Sequence, residues 1–149
     1  MDLRRIIQEY LTTAQMMHIG TDRGNKPWVT TVYFAADIEL NLYWLSRKSR
    51  RHSQDISKNP HVAAAIVLPH NYGDKVRGVQ IEGEARELIG VDADAGRNIY
   101  KSKYWIVEDR AMTAAEGGDP QVCYQVRPTK ILLYDEVNYP ESPSQEFKF

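Results

Sequence analysis

The chain has 149 residues, the common size of one domain, and we expect a single folded unit over residues 1–149. Its 19 basic and 20 acidic side chains give a formal net charge of −1, which disfavours a general nucleic-acid or membrane-surface binder. The single cysteine, Cys123, excludes an intramolecular disulfide and fits a reducing compartment. Because no secretory signal or membrane-length apolar run occurs, we expect a soluble cytoplasmic protein.

The spacing of apolar residues alternates between helical and strand periods along the chain. The predicted elements, in chain order, are a helix over residues 1–15, strands Met17–Asp22, Trp28–Ala36 and Leu40–Ser46, a helix Ser49–Asn59, strands Val62–Leu68 and Val79–Arg86, a helix Asp92–Tyr104, and strands Val122–Val126 and Ile131–Tyr134. Strands linked as hairpins dominate this order. The pattern therefore favours an antiparallel barrel with peripheral helices over a parallel sheet.

Local signals add detail to these elements. Ser49 is the predicted N-cap of the second helix, since its hydroxyl can accept a hydrogen bond from a free backbone N–H. The continuous apolar run Val62–Leu68 predicts a strand buried on both faces. Gly78 and Gly83 mark bulges or close backbone approaches in the next strand. The polar tail over residues 140–149 is expected to be less ordered.

Several well-known kinds of catalytic site are absent from the sequence. It contains no glycine-rich nucleotide loop, serine-hydrolase elbow or zinc-protease motif. Glu82 and Glu84 share a strand face, and this placement favours a salt-bridged outer surface over a catalytic pair. Cys123 is interpreted as a buried, inert thiol. The histidines lack the spacing of metal ligands, so we predict no metal site; they are His18, His52, His61 and His70.

One concentrated feature is the basic segment Ser46–His52, which directly follows a strand and opens a helix. Hydroxyl and cationic side chains at a helix N-terminus, beside its free backbone N–H groups, can bind a phosphate. A solvated basic turn explains the same residues equally well. A nucleic-acid patch is less favoured, because one short cluster on a nearly neutral chain provides a small electrostatic footprint.

Four segments together resemble one protein family. They are Lys26–Phe34, Leu42–Ser46 with the basic turn and the helix ending Lys58-Asn59-Pro60, Arg77–Glu84, and Val126–Ile131. In this order they resemble the pyridoxamine 5'-phosphate oxidase-like proteins over nearly the whole chain. The resemblance implies a mainly β fold with peripheral helices, an antiparallel FMN-binding split β-barrel.

The resemblance also implies an FMN-binding homodimer with two equivalent flavin sites at the subunit interface. It implies an oxidoreductase acting on a small-molecule substrate or electron donor, with neither a nucleic-acid nor a membrane partner. The residues it places at the flavin are Thr30, Thr31, Val32, Tyr33 and Gln80. Those it places at the phosphate are Ser46, Arg51 and His52, with Lys48 and Arg50 assisting. Trp105 is a further candidate, for contact with the partner's flavin ring.

Departures from the true oxidases limit what is carried over. Thr30 and Ala35 stand where those enzymes have an arginine and a lysine, Gly78 stands where they have a glutamine, and His52 stands where they have a lysine. Oxidation of pyridoxamine phosphate is therefore not expected, and the chain is closer to the short bacterial branch and the general stress flavoproteins. A flavin-binding stress-response protein without turnover, a barrel binding deazaflavin or haem, and a structural interaction domain remain as alternatives.

Overall fold

The computed structural model describes residues 2–104 and 119–149. The helices are α1 Leu3–Thr13, α2 Arg51–Lys58 and α3 Val91–Tyr104. The strands are β1 Met16–Asp22, β2 Pro27–Tyr33, β3 Ala35–Ala36, β4 Leu42–Arg47, β5 His61–Val67, β6 Arg77–Glu87, β7 Gln121–Asp135 and β8 Ser144–Phe147. All strand pairs are antiparallel. The sheet runs in the order β2-β1-β5-β6-β7-β4-β3, with β8 added to β7, which confirms the mainly β barrel with peripheral helices.

The curved sheet surrounds one apolar core, and α1 covers one side of it. Asp2 caps α1 by accepting a hydrogen bond from the Arg5 backbone N–H. Ile7 and Leu11, four residues apart on one face of the helix, are completely buried. Burial of each such side chain contributes about 1.5–3 kcal/mol to the free energy of unfolding. Trp44 of β4 fills the interior and stacks on Tyr124 with ring centroids 5.2 Å apart.

The predicted strand Trp28–Ala36 is divided at Phe34. Up to Tyr33 the chain pairs with β1, whereas Ala35 and Ala36 pair with β4. The fully buried Phe34 side chain marks the change of partner, and its backbone N–H donates to Gln15 O at 3.0 Å. The barrel is therefore closed at Phe34 and open toward Pro27. We call the space between β2 and the facing part of β4 the split.

Two expectations about the end of the chain were wrong. β7 is one continuous strand, and the residues expected to form a turn, 127–130, lie within it. Pro128 is tolerated because it lies opposite Gly83, where a bulge interrupts the ladder. A Cβ on Gly83 would lie 2.5 Å from Arg127 O, which confirms the close approach expected there. The polar tail forms β8, and Phe147 packs against the core.

Two further details differ from the sequence-based picture. The N-cap of α2 is Arg50, and the Ser49 hydroxyl donates to the Asp119 carboxylate. Along β5, buried and exposed residues alternate, so the expectation of burial on both faces was wrong. The reason is that a single layer of sheet surrounds the main core, and no described helix covers the outer face at β5, whereas α3 covers it at β4 and β7. Gly78 approaches the backbone closely as expected, since a Cβ would lie 2.8 Å from Ile66 O.

Candidate functional site

One wall of the split is the free edge of β2. The bond from Phe34 N to Gln15 O marks a hydrogen-bonded residue pair at the end of the β1–β2 ladder. Hydrogen-bonded and non-bonded pairs alternate along an antiparallel ladder. Val29, Thr31 and Tyr33 therefore direct their backbone N–H and C=O groups away from β1, toward β4. This edge offers alternating donors and acceptors to any flat polar molecule in the split.

The four β2 residues expected at the flavin divide between the two faces of this strand. Thr30 and Val32 are partly buried and turn toward the barrel interior, whereas Thr31 and Tyr33 are exposed on the outer face. The Thr31 hydroxyl lies 2.8 Å from His18 Nδ1 on β1. Tyr33 packs edge-on against Tyr104, with ring centroids 5.7 Å apart.

The opposite wall is the junction of β4 with α2. Ser46 and His52 are both buried there, and Ser46 Oγ lies 2.5 Å from His52 Nε2. Burial and the charge of Arg50 lower the pKa of His52, while Asp55 acts in the opposite direction. The imidazole is therefore neutral near pH 7 and is not the cation expected from the sequence. Arg50 and Arg51 provide the positive charge at this junction.

Arg51 is held by a buried carboxylate. Asp55 is fully buried and accepts hydrogen bonds from Thr21 Oγ1 at 2.8 Å and Arg23 Nε at 2.7 Å. Arg51 Nε lies 3.6 Å from the same carboxylate. Burial alone would raise the pKa of Asp55, but the bonds from Thr21 and Arg23 and the two arginine charges hold it below its usual value. The carboxylate thus stays ionised and orients both guanidinium groups.

The Arg51 guanidinium also joins α2 to the turn between β1 and β2. Its Cζ lies 4.5 Å from the centroid of the Trp28 ring, and Nη2 donates to Lys26 O at 3.3 Å. Sequence reasoning missed the roles of Arg23, Lys26 and Asp55 at this cluster. The available signals were the i,i+4 spacing of Arg51 and Asp55 and the two cations of the preceding turn.

The remaining predicted phosphate contacts are exposed. Lys48 Nζ lies 3.5 Å from Glu87 Oε1, and both side chains are solvent-accessible, so the pair contributes at most about 1 kcal/mol. Arg50 is exposed at the N-cap of α2, close enough to His52 to lower its pKa. Lys48 and Arg50 are therefore able to reorient toward an anion at little energetic cost.

Gln80 lies far from the β2 residues within one chain. Pairing across the outer face aligns Thr31 with His18, His18 with Ala65, and Ala65 with Gln80. Three strand spacings separate Thr31 from Gln80, or about 14 Å. Gln80 instead lines a shallow cleft of about 360 Å³ on the outer face of β5, β6 and β7. Trp105, the remaining predicted contact, lies outside the described residues.

The outer face around this row is unusually apolar. The exposed fractions of Val29, Tyr33 and Val67 are 64%, 51% and 54%. Ala63 and Ala65 lie between these side chains on β5 and are also exposed. Because monomeric soluble proteins rarely expose contiguous apolar patches of this kind, the outer face has the character of an interaction surface.

A separate cleft of about 760 Å³ lies between α1, β3 and α3, and none of the predicted flavin contacts within the described residues lines it. Lys103 forms part of its wall. The Lys103 ammonium donates to Leu11 O at 3.0 Å and to Ala14 O, at the C-terminal end of α1. Burial lowers the pKa of Lys103 to about 8. Lys103 therefore holds the end of α1.

Other residues singled out from the sequence have structural surroundings. Glu84 forms an ion pair with Arg127, with Oε2 and Nη2 3.6 Å apart on the outer surface. Burial raises the pKa of the Cys123 thiol to about 11, which confirms an inert thiol. Within residues 2–104 and 119–149, no cluster of three His, Cys, Asp or Glu side chains is placed to hold a metal ion. No helix in these ranges is long and apolar enough to span a membrane.

Comparison with known proteins agrees with the barrel architecture. UPF0306 protein YhbP of Escherichia coli O157:H7 is 22% identical over 136 residues, covering 91% of this chain and 86% of the relative. General Stress Protein 26 from Bacillus anthracis superposes with a TM-score of 0.71 at 18% identity, and the match covers 100% of both chains. A heme binding protein from Mycobacterium smegmatis gives a TM-score of 0.76 at 13% identity over 99% of this chain.

This chain spans only 58% of the length of that heme binding protein, and at such identities the structural matches establish the fold alone. The family assignment comes from the sequence. A family model described as pyridoxamine 5'-phosphate oxidase matches residues 3–134, which is most of the chain. The chain therefore belongs to the pyridoxamine 5'-phosphate oxidase-like family of split β-barrels.

Proposed function

We propose that the chain binds FMN in the split and acts as an oxidoreductase on a small molecule. The observation that carries this proposal is the arrangement of the two walls. The free backbone edge of β2 faces the basic start of α2, where Arg51 is held by Asp55. These two walls match the two ends of a flavin mononucleotide, whose phosphate would lie at α2 and whose flat polar ring would lie along β2.

The residues present fit such a ligand. Arg50, Arg51 and the first backbone N–H groups of α2 would bind the phosphate, with Lys48 assisting. Ser46 would contribute its hydroxyl, and His52 would orient Ser46 or gain a proton beside the phosphate dianion. Thr30, Thr31, Val32 and Tyr33 would hold the ring along the β2 edge. A bound flavin would supply the redox chemistry, while the protein would provide binding, orientation and electrostatics.

The proposal includes a homodimer, which the position of Gln80 supports. A ring held at Thr31 lies three strands from Gln80 of the same chain, so Gln80 would serve the flavin of the other subunit. The exposed apolar face formed by Val29, Tyr33 and Val67 supports a second copy as its partner. Such a dimer would bury this face and place two equivalent flavin sites along its edges. Trp105 stays a candidate contact with the partner's ring.

We further propose that the bound flavin turns over a small-molecule substrate. Among the described residues of the β4–α2 junction, the one histidine is His52; burial lowers its pKa, and it is bonded to Ser46. The flavin would therefore carry the chemistry without a dedicated protein acid or base. A flavin-binding stress-response protein without turnover is the alternative. It would bind FMN equally well but reduce it no faster with an electron donor than free FMN is reduced.

Haem is the second candidate cofactor, because of His18. Its Nδ1 lies 2.8 Å from the Thr31 hydroxyl, and it stands on the exposed apolar face. A histidine with one ring nitrogen hydrogen-bonded is oriented to offer the other nitrogen to a metal. The heme binding neighbour makes this candidate worth testing. The visible spectrum separates these cofactors. Haem gives a Soret band, a flavin gives its own bands in the visible blue, and a deazaflavin absorbs at shorter wavelength than a flavin.

The decisive experiment is the visible spectrum of the purified protein, with mass identification of any released ligand, followed by FMN titration. We expect flavin bands and saturable quenching of FMN fluorescence. Arg51→Gln should weaken FMN binding by at least about tenfold, as expected for loss of a hydrogen bond to a charged group. Lys58→Gln, at the far end of α2, is the matched control and should bind normally. A folded protein that binds no flavin would contradict the proposal.

A further inference from the structure

We propose that Trp28 and Arg51 bind an adenine nucleotide at the open end of the split. This inference rests on the flavin site proposed above and extends it beyond the flavin phosphate. Trp28 lies on β2 three residues before Thr31, or about 10 Å along the strand. It therefore lies nearer the open end of the split than the predicted ring contacts, and it lies against the α2 cation Arg51.

The indole of Trp28 is placed as a stacking surface. It keeps 44% of its area exposed although it belongs to the alternating set that turns inward on β2, with Thr30 and Val32. Arg51 covers one face, with its Cζ 4.5 Å from the ring centroid. A guanidinium occupies only one face of the ring, and we assign the base to the opposite face. Aromatic side chains bind bases by such stacking, and a neighbouring arginine strengthens it.

The platform is rigid before any ligand arrives. Arg51 is fixed by the buried Asp55 carboxylate and by the carbonyl of Lys26. Thr21 and Arg23 hold Asp55 in turn. Preorganisation of this kind lowers the entropy lost when a ligand is bound.

The charge around Trp28 exceeds what one phosphate needs. Arg23 from the β1–β2 turn shares the Asp55 carboxylate with Arg51, and Arg50 precedes Arg51 in the chain. Among the described residues, Asp55 is the only carboxylate with an ion pair to these three arginines, and it is buried. The remaining positive charge suits a second phosphate. Base and phosphate together indicate a nucleotide, either the adenylate half of FAD or a separate adenine nucleotide beside bound FMN.

The test compares two ligands that differ only in the adenylate group. FMN and FAD are titrated by flavin fluorescence into the protein and into Trp28→Leu, Trp28→Phe and Tyr72→Leu. If FAD is the source, wild type should bind FAD about tenfold more tightly than FMN, within the range measured for stacking of one base. Trp28→Leu should remove this preference. Trp28→Phe should keep much of it, and Tyr72→Leu, a change of a fully exposed aromatic residue outside the proposed flavin site and dimer face, should keep all of it.

A second experiment tests whether a separate adenine nucleotide binds beside FMN. ADP is titrated by calorimetry into protein saturated with FMN, and binding should be lost in Trp28→Leu and kept in Tyr72→Leu. If neither the preference for FAD nor the binding of ADP depends on Trp28, the inference is overturned while flavin binding can still stand. If ADP binds through Trp28 but no flavin binds, the nucleotide site stands and the proposed flavin function fails. Melting curves of each variant confirm that it is folded.

Discussion

Ser46 Oγ lies 2.5 Å from His52 Nε2, and this buried contact joins the end of β4 to the first turn of α2. It places the hydroxyl and the imidazole at the point where the free N–H groups of α2 begin. Because burial keeps the imidazole neutral, the contact is a hydrogen bond between uncharged groups. The bond therefore contributes to the geometry of the junction, while its charge comes from the arginines.

The burial of His52 makes stability depend on pH. The pKa of His52 in the folded chain lies below its unfolded value of 6.5, so the unfolded chain binds more protons as the pH falls through that value. The free energy of unfolding should therefore decrease between about pH 7.5 and about pH 5.5. His52→Gln, which can still bond to Ser46, should reduce this decrease. Urea unfolding at several pH values measures both, and identical slopes in the two proteins would refute the assignment.

Asp55 should be the most sensitive polar position in the junction. Asp55→Asn removes the charge that Arg23 and Arg51 face and leaves buried polar atoms poorly paired. We expect the free energy of unfolding to fall by about 2–3 kcal/mol, the scale of a hydrogen bond to a charged group. Glu9→Gln is the matched control, because Glu9 forms an exposed i,i+4 pair with Arg5 and should change stability by under about 0.5 kcal/mol. Equal effects of the two substitutions would contradict the network.

A side chain at position 83 should destabilise the fold. Its Cβ would lie 2.5 Å from Arg127 O and 3.0 Å from Pro128 Cα, and both neighbours are backbone. Gly83→Ala should lower the free energy of unfolding by about 1–3 kcal/mol, as overpacking does elsewhere. At Gly20 the nearest atoms to a new Cβ are 3.6 Å away, so Gly20→Ala serves as a control with a small effect. Denaturant midpoints of the two variants make the comparison.

The outer face should control oligomeric state. Ala65 lies at the centre of the row from Thr31 to Gln80, and an arginine there would bury a charge in the proposed dimer. We expect Ala65→Arg to sediment as a monomer with an unchanged circular dichroism spectrum and weaker FMN binding. Ile89→Arg, at a residue 78% exposed beyond the end of β6, should leave the dimer intact. A wild-type protein that sediments as a monomer would remove the dimer from the proposal.

The fold was predictable where local sequence determines local structure. The glycine at position 83 indicated a bulge, and alternation in β6 separated the buried Val79 and Ile81 from the exposed Gln80. The break at Phe34 could not be read, because β-branched and aromatic residues continue across it and the change of partner is a long-range event. Pro128 resembled a turn signal, yet its position opposite the bulge makes it compatible with a continuous strand.

The candidate site was predictable only in part, for a similar reason. The segment from Ser46 to His52 is contiguous, so its basic character was visible in the sequence. Its energetic organisation was not, because Thr21 and Arg23 reach Asp55 from more than 30 residues away in the chain. Burial of His52, which removes its charge, likewise depends on the packing of distant strands.

The change of partner at Phe34 has a kinetic consequence. The β1–β2 hairpin and the β3–β4 hairpin each pair strands that are adjacent in the chain, so each can form early in folding. β4 completes its other edge only when Leu42 meets Val126, across most of the chain. Closing so long a loop costs entropy before the pairing returns any stability, which slows folding. The rim that carries Ser46 should therefore be among the last parts of the barrel to become ordered during folding.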